Sequence, residues 1–278
     1  MRAPTLLAAL LAALAAAPAA ADVLARLADG APLRLAVRED AAPLSAMREG
    51  VPSGHSVAIC TEVARRLGRA EDLAGVRLDY VPVTAETRFA AISGGEADLL
   101  CGAATVTISR RREVEFSLPV FVDGAGVMIR AAAPVASFAD FAGGRLGVRA
   151  ATTTEAALRA TLERTGMPVE VVAVGDHADG LAALRAGEVD GYLADRAILY
   201  GLAAGAGGEV AVAEEMLTLE RHALALPKGD EAFRAAVDRA ISDMYRDGTL
   251  ARLFADTFPN AAPGAALEAL WLLGGLPD

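Results

Sequence analysis

The sequence predicts an α/β fold in two lobes, each a sheet flanked by helices, with a cleft between them. Three observations predict it. Short apolar runs of strand length alternate with segments of helical apolar spacing, the order that builds parallel βαβ units. The alternation restarts near residue 126, and the last strand–helix stretch is too small to fold alone, so it returns to complete the first lobe. The chain has 278 residues, 54% hydrophobic and 22% charged, enough for two cores and too apolar for global disorder.

Residues 1–21 read as a secretory signal peptide. Arg2 supplies a short basic start, residues 6–17 form a Leu/Ala run, Pro18 ends it, and Ala19-Ala20-Ala21 fits a small-residue cleavage site. The run is too short to span a bilayer well, and no cysteine near the cleavage site offers a lipid anchor. Cleavage after Ala21 is expected to leave a soluble periplasmic protein. Losing Arg2 takes its net charge from −10 to −11.

The first lobe is expected over residues 32–122 and 221–260. Residues 33–38 alternate as a strand, and residues 40–54 carry Pro43, Pro52 and glycines and read as a loop. Val57, Cys60, Ala64 and Leu67 recur at helical spacing, and Gly68 is expected to stop that helix. Strands at 76–81 and 98–101 flank a short helix at 87–92. The second lobe, over 126–216, opens on an extended segment at 120–130 and a short helix at 138–142. Strands at 145–149, 169–174 and 189–194 then alternate with helices at 154–165, 180–186 and 196–204. A strand at 222–226 and helices at 231–246 and 249–258 return to the first lobe, with a tail at 261–278. Two chain crossings, near 122–126 and 216–221, make a hinge.

Cys60 and Cys101 are the two cysteines, an even count that invites a disulfide in an exported protein. Cys60 falls on the apolar face of the first long helix and Cys101 ends the neighbouring strand. The other reading is two buried thiols that never meet. His55, His177 and His222 stand at no ligand spacing and there is no CxxC, so neither metal nor other cofactor is expected. The net charge of −10 argues against a nucleic-acid partner, yet leaves room for an anionic ligand in a locally cationic site. Lys228 is the one lysine, so almost every cation is an arginine.

Several segments carry a family resemblance through their order and spacing. They are Val37-Arg38-Glu39-Asp40 with Pro43, Arg88-Phe89-Ala90-Ala91-Ile92, Gly94-Gly95-Glu96-Ala97-Asp98-Leu99, and Thr105-Val106-Thr107-Ile108-Ser109-Arg110-Arg111. Val114-Glu115-Phe116-Ser117, Phe138-Ala139-Asp140-Phe141-Ala142-Gly143, Thr152-Thr153-Thr154-Glu155 and Asp247-Gly248-Thr249-Leu250 follow. Together they resemble the extracellular solute-binding proteins of the polar amino-acid ABC transporter family (family 3) over residues 33–258. Cys101-Gly102-Ala103-Ala104-Thr105 and Asp176-His177 look most like the glutamate/aspartate-binding branch. The resemblance implies a type II periplasmic-binding-protein-like fold, a small amino-acid ligand, a membrane permease as partner and a monomer.

An amino acid presents a carboxylate and an ammonium, so a closed cleft needs a bidentate cation for one and a fixed anion for the other. By resemblance, Arg110 holds the α-carboxylate and Asp195 the ammonium. The competing readings are a salt bridge of Arg110 with Glu113 or Glu115, and Asp195 as a helix N-cap. Thr152 opens a Thr-x-x-Glu capping box whose free amides also attract carboxylates. Thr105 offers a hydroxyl and an amide, Ala103 only backbone. Arg38, Arg88 and His177 match positions around the ligand in the acidic branch, and their positive charge suits a side-chain carboxylate.

Leu44, His55, Ala58 and Arg149 depart from relatives, and Arg149 stands where the acidic branch has a small hydroxyl residue. A dehydratase-like enzyme on the same fold and a ligand-sensing module are the alternatives. No catalytic set is legible, so binding rather than catalysis is expected.

Overall fold

A computed structural model describes residues 22–73 and 75–277; the expected signal peptide, 1–21, lies outside the described residues. In chain order, helix α1 (Val23–Ala28) leads into strand β1 (Leu33–Arg38). A small meander, β2 (Asp40–Ala41), β3 (Ser45–Arg48) and β4 (Val51–Ser53), precedes α2 (His55–Ala70), β5 (Leu78–Val83), α3 (Arg88–Ser93) and β6 (Leu99–Cys101). Then come β7 (Glu115–Asp123), β8 (Ala125–Arg130), β9 (Arg145–Arg149), α4 (Thr153–Thr165), β10 (Glu170–Val174), α5 (His177–Ala186), β11 (Gly191–Asp195), α6 (Arg196–Ala204) and β12 (Val210–Met216). The chain closes with β13 (Glu220–Leu226), α7 (Glu231–Arg246), α8 (Thr249–Thr257) and α9 (Ala265–Leu273).

These strands form two five-stranded sheets, ordered β5-β1-β6-β13-β7 and β10-β9-β11-β8-β12. In the first, β1 runs parallel to β5 and β6, and β13 is antiparallel to β6 and β7. In the second, β9 runs parallel to β10 and β11, and β8 is antiparallel to β11 and β12.

Period-two alternation explains how the first sheet is covered on both faces. Leu33, Leu35 and Val37 of β1, Leu99 and Cys101 of β6, and Leu224 and Leu226 of β13 pack with α2 and α7. The intervening Ala36, Leu100, Ala223 and Ala225 pack with Phe89, Ala91 and Ile92 of α3 on the other face. Arg38 has the parity of Ala36, so it leaves the end of β1 on the α3 side.

The chain crosses between the sheets twice, from β7 to β8 and from β12 to β13. The crossings touch: Asp123 pairs with Glu220, and a Cβ on Gly124 would lie 2.1 Å from the Thr218 carbonyl oxygen. Glycine is required there because no side chain fits between the two crossings.

Several elements differ from the sequence reading, among them α1, which the sequence reading did not place. Residues 40–54 form the β2–β4 meander rather than a loop. Helix α2 runs past Gly68 to Ala70, because Gly68 keeps a helical backbone and its bare face lies against Val76. Strand β12 and helix α9 were not read from the sequence. Among the described residues, no helix is long and apolar enough to cross a membrane.

Cys60 of α2 and Cys101 of β6 are bridged, with Cα atoms 6.0 Å apart and a sequence separation of 41. The pairing welds α2 to the central strand of the first sheet. Titration of the unfolded, non-reduced protein should find no free thiol, and the Cys60→Ser/Cys101→Ser double variant should lose about 2–4 kcal/mol of stability. Two titratable thiols in the wild type would contradict the bridge.

Candidate functional site

The parallel strands of both sheets end on one shared cavity, where α/β sheets place ligands. Arg38 ends β1, Arg88 opens α3 after β5, and Ala103 and Thr105 follow β6. Across the cavity, Thr152 follows β9, His177 opens α5 after β10, and Asp195 ends β11. With Arg110, all eight residues expected at the site line this one cavity, joined by Arg149, Thr153, Thr154, Ala194 and Ile198. The space left between them is small, about 20 Å³, room for one or two waters.

The cavity is cationic. Arg88 is 2% exposed. Its Nη2 donates to the Ala151 carbonyl oxygen at 3.2 Å, while Nε and Nη1 are buried without a partner. Burial foremost, with Arg110 and Arg38 adding repulsion, pulls its pKa down to about 9, so it stays charged at neutral pH. Arg110 donates from Nη1 to the Thr105 carbonyl oxygen at 2.8 Å. Burial also lowers its pKa, against the pull of Glu220 and Asp195. Both guanidinium groups lie over the Phe89 ring, their Cζ atoms 4.6 and 4.9 Å from its centroid. The surface salt bridge considered for Arg110 is absent: its neighbour Arg111 takes Glu115, at 2.5 Å.

Two carboxylates sit opposite. Asp195 caps α6 in position but makes no side-chain cap bond. Its Oδ1 accepts from Thr154 Oγ1 at 3.4 Å, and His222 Nε2 lies 3.7 Å from Oδ2, too far for a hydrogen bond. Burial raises its pKa, as it raises that of Asp123 to about 6. Glu220, which opens β13 just after the second crossing, accepts at Oε2 from Thr105 Oγ1 at 2.5 Å and from Thr153 Oγ1 at 3.0 Å, so one carboxylate gathers hydroxyls from both sides of the cleft.

Thr152 is an N-cap: its Oγ1 accepts from the Glu155 amide at 3.1 Å and donates to the Arg149 carbonyl oxygen at 2.7 Å. The hydroxyl's one proton is committed to Arg149, so for an anion α4 offers the cavity its free first-turn amides rather than this hydroxyl. The Glu155 carboxylate accepts from the Ala151 amide rather than from Thr152, one residue off a full capping box.

His177 corrects the sequence reading. Its Nδ1 is 2.7 Å from the Tyr192 hydroxyl, and burial lowers its pKa to about 4, so the ring is neutral at pH 7 and adds no positive charge. Arg38 is charged but already partnered, donating from Nε (2.8 Å) and Nη2 (2.5 Å) to Asp40 Oδ1. Among the guanidinium groups of the cavity, Arg88 is the one with fully buried nitrogens that have no partner. Sequence reasoning missed Glu220 altogether. It opens β13, 115 positions from Thr105, and only the fold brings the two together.

The chain matches the profile of bacterial extracellular solute-binding proteins, family 3, over residues 33–260. It is 28% identical over 275 residues to an L-glutamate/L-aspartate-binding protein of Pseudomonas aeruginosa, covering 96% of this chain and 91% of that protein. It is 25% identical over 216 residues to a glutamate/aspartate import solute-binding protein of Salmonella typhimurium, covering 77% and 70%. Among solved structures, an ancestral amino acid-binding protein, a precursor of cyclohexadienyl dehydratase, shares the fold with a TM-score of 0.75 at 23% identity, covering 86% of this chain and 100% of that one.

A buried neutral histidine ties stability to pH. The His177 pKa falls from 6.5 to about 4 on folding, so its contribution is complete above pH 6.5 and is lost as pH falls toward 4. The raised carboxyls Asp123 and Asp195 shift stability the other way over part of that range, so the wild type must be compared with a variant. Between pH 6.5 and 4, denaturant titration should show wild type losing on the order of 3 kcal/mol more than His177→Gln. Parallel pH profiles would show that His177 is not held neutral.

Proposed function

This chain belongs to the bacterial extracellular solute-binding proteins, family 3, and on that premise we propose that its cleft captures an acidic amino acid, glutamate or aspartate, for delivery to an ABC transporter permease. The observation that carries the reading is Arg88, a buried guanidinium with two nitrogens unpartnered at the wall of the cavity. A buried charge without a partner is costly, and a carboxylate relieves it.

Arg110 takes the α-carboxylate together with the α4 amides, and Asp195 takes the ammonium. Arg88 then meets the side-chain carboxylate, with Arg38 beside it. Ala103 and Thr105 line the first-lobe wall, and His177, neutral, lends shape rather than charge. Residues 32–122 with 221–260 form one lobe and 126–216 the other. The lobes part about the crossings at 123–125 and 217–219 to admit a ligand that the present 20 Å³ cannot hold. The protein works as a periplasmic monomer exported by its signal peptide.

Binding, rather than catalysis, suits the site. The cavity offers cations and capped helix starts for charge recognition, and its imidazole is engaged by Tyr192 rather than by a nucleophile or a carboxylate. A dehydratase-like enzyme would consume its ligand, so recovery of intact glutamate after long incubation separates the two.

Calorimetry tests the assignment. L-glutamate or L-aspartate should bind at least tenfold tighter than L-glutamine. Arg110→Ala should weaken all three by about 30-fold or more, the loss expected for truncating one side of a buried charge pair. Arg88→Gln should weaken the acids about 30-fold and L-glutamine less than about threefold. Tighter binding of a neutral amino acid to wild type would overturn the acidic assignment.

A further inference from the structure

Arg149 is a large cation 4% exposed at the end of β9, in the second sheet, yet both carboxylates that hold it belong to the first-sheet side. Its Nη1 and Nη2 donate to the two oxygens of Glu86 at 2.5 and 3.0 Å, a bidentate pair. Its Nε donates to Asp40 Oδ2 at 3.1 Å. Asp40 turns its other oxygen, Oδ1, to Arg38. An unbroken chain, Glu86–Arg149–Asp40–Arg38, therefore runs from the mouth of the cleft to a cation on the cavity wall. It holds two positive and two negative groups, so it is neutral without any ligand.

We propose that Arg149 is a positioning residue that ties the two lobes across the mouth of the cleft and, through Asp40, fixes the orientation of Arg38. The inference rests on the reading of this cavity as a ligand cleft that opens. Parting the lobes breaks all three interlobe hydrogen bonds of Arg149 together. The tie thus adds to closure what the ligand does not supply, and its loss acts on escape of the ligand rather than on entry. The two cations also depend on one aspartate: with Arg149 gone, Arg38 is the ion-pair partner left to Asp40 among the described residues, and no hydrogen bond from the second lobe to that carboxylate remains among them. Glu86 is 47% exposed, so the outer half of the tie is open to screening by salt.

Two measurements on the mature protein test this. Stopped-flow displacement of bound L-glutamate should give a dissociation rate at least tenfold faster for Arg149→Gln than for wild type, about 1.4 kcal/mol, with association within about threefold. Small-angle scattering of the ligand-free protein at low salt should give a larger radius of gyration for Arg149→Gln, and wild type should approach that radius as salt rises. Glu86→Gln, at a half-exposed position, should speed dissociation in the same direction by a smaller factor, and Arg149→Lys should restore part of the effect. A purely structural role would lower the melting temperature and leave both the dissociation rate and the radius unchanged, and either quantity unchanged overturns the proposal. If wild type does not bind L-glutamate, the ligand assignment fails separately, and the ligand-free radii alone decide the tie.

Discussion

Four guanidinium groups surround one small cavity, and their burial is the constraint from which the rest of the site follows. Arg38 and Arg88 are 2% exposed and Arg149 4%, with Arg110 beside them. Charges so placed need counterions or hydrogen bonds in fixed positions. Asp40 answers Arg38 and Arg149, Glu86 answers Arg149, and Asp195 and Glu220 lie opposite Arg110. Arg88 is left with one carbonyl oxygen and the face of Phe89. The four guanidinium groups and these four carboxylates match in number, but no carboxylate is bonded to Arg88, and that gap is where the proposed ligand would place its extra carboxylate.

The fold is what makes this crowding possible. Every member of the cavity except Arg110 stands at, or within about five residues after, the end of a strand. The two sheets present those ends to each other because β7 and β13 both carry the chain across. Gly124, pressed against the Thr218 carbonyl, keeps the crossings in contact, and the Cys60–Cys101 bridge anchors the strand that leads to Ala103 and Thr105. Helix α9 adds a feature outside the matched family region: Trp271 stacks edge-on against Phe254 of α8, and Leu267 is buried, so the tail packs beside the crossings.

Much of this was legible in the sequence, and for identifiable reasons. Strict alternation at residues 33–38 fixes which face Arg38 leaves from, and the Thr-x-x-Glu start places Thr152 as a cap. What was not legible depends on distance along the chain. The Asp40–Arg149 pair spans 109 positions and the Glu86–Arg149 pair 63, so Arg149 stood out as a departure but its partners did not. Glu220 looks like any linker acid until β13 brings it to Thr105. The charge state of His177 was misjudged because an imidazole's pKa is set by burial, which one-dimensional spacing does not report. Gly68 did not stop α2, because local propensity yielded to the packing of Val76.

The most direct test of the central claim is a crystal structure of the mature protein with L-aspartate or L-glutamate. The account predicts the side-chain carboxylate within 2.7–3.2 Å of Arg88 Nε or Nη1, with the α-carboxylate on Arg110. A ligand seated elsewhere, or one that leaves both Arg88 nitrogens unpartnered, would contradict it.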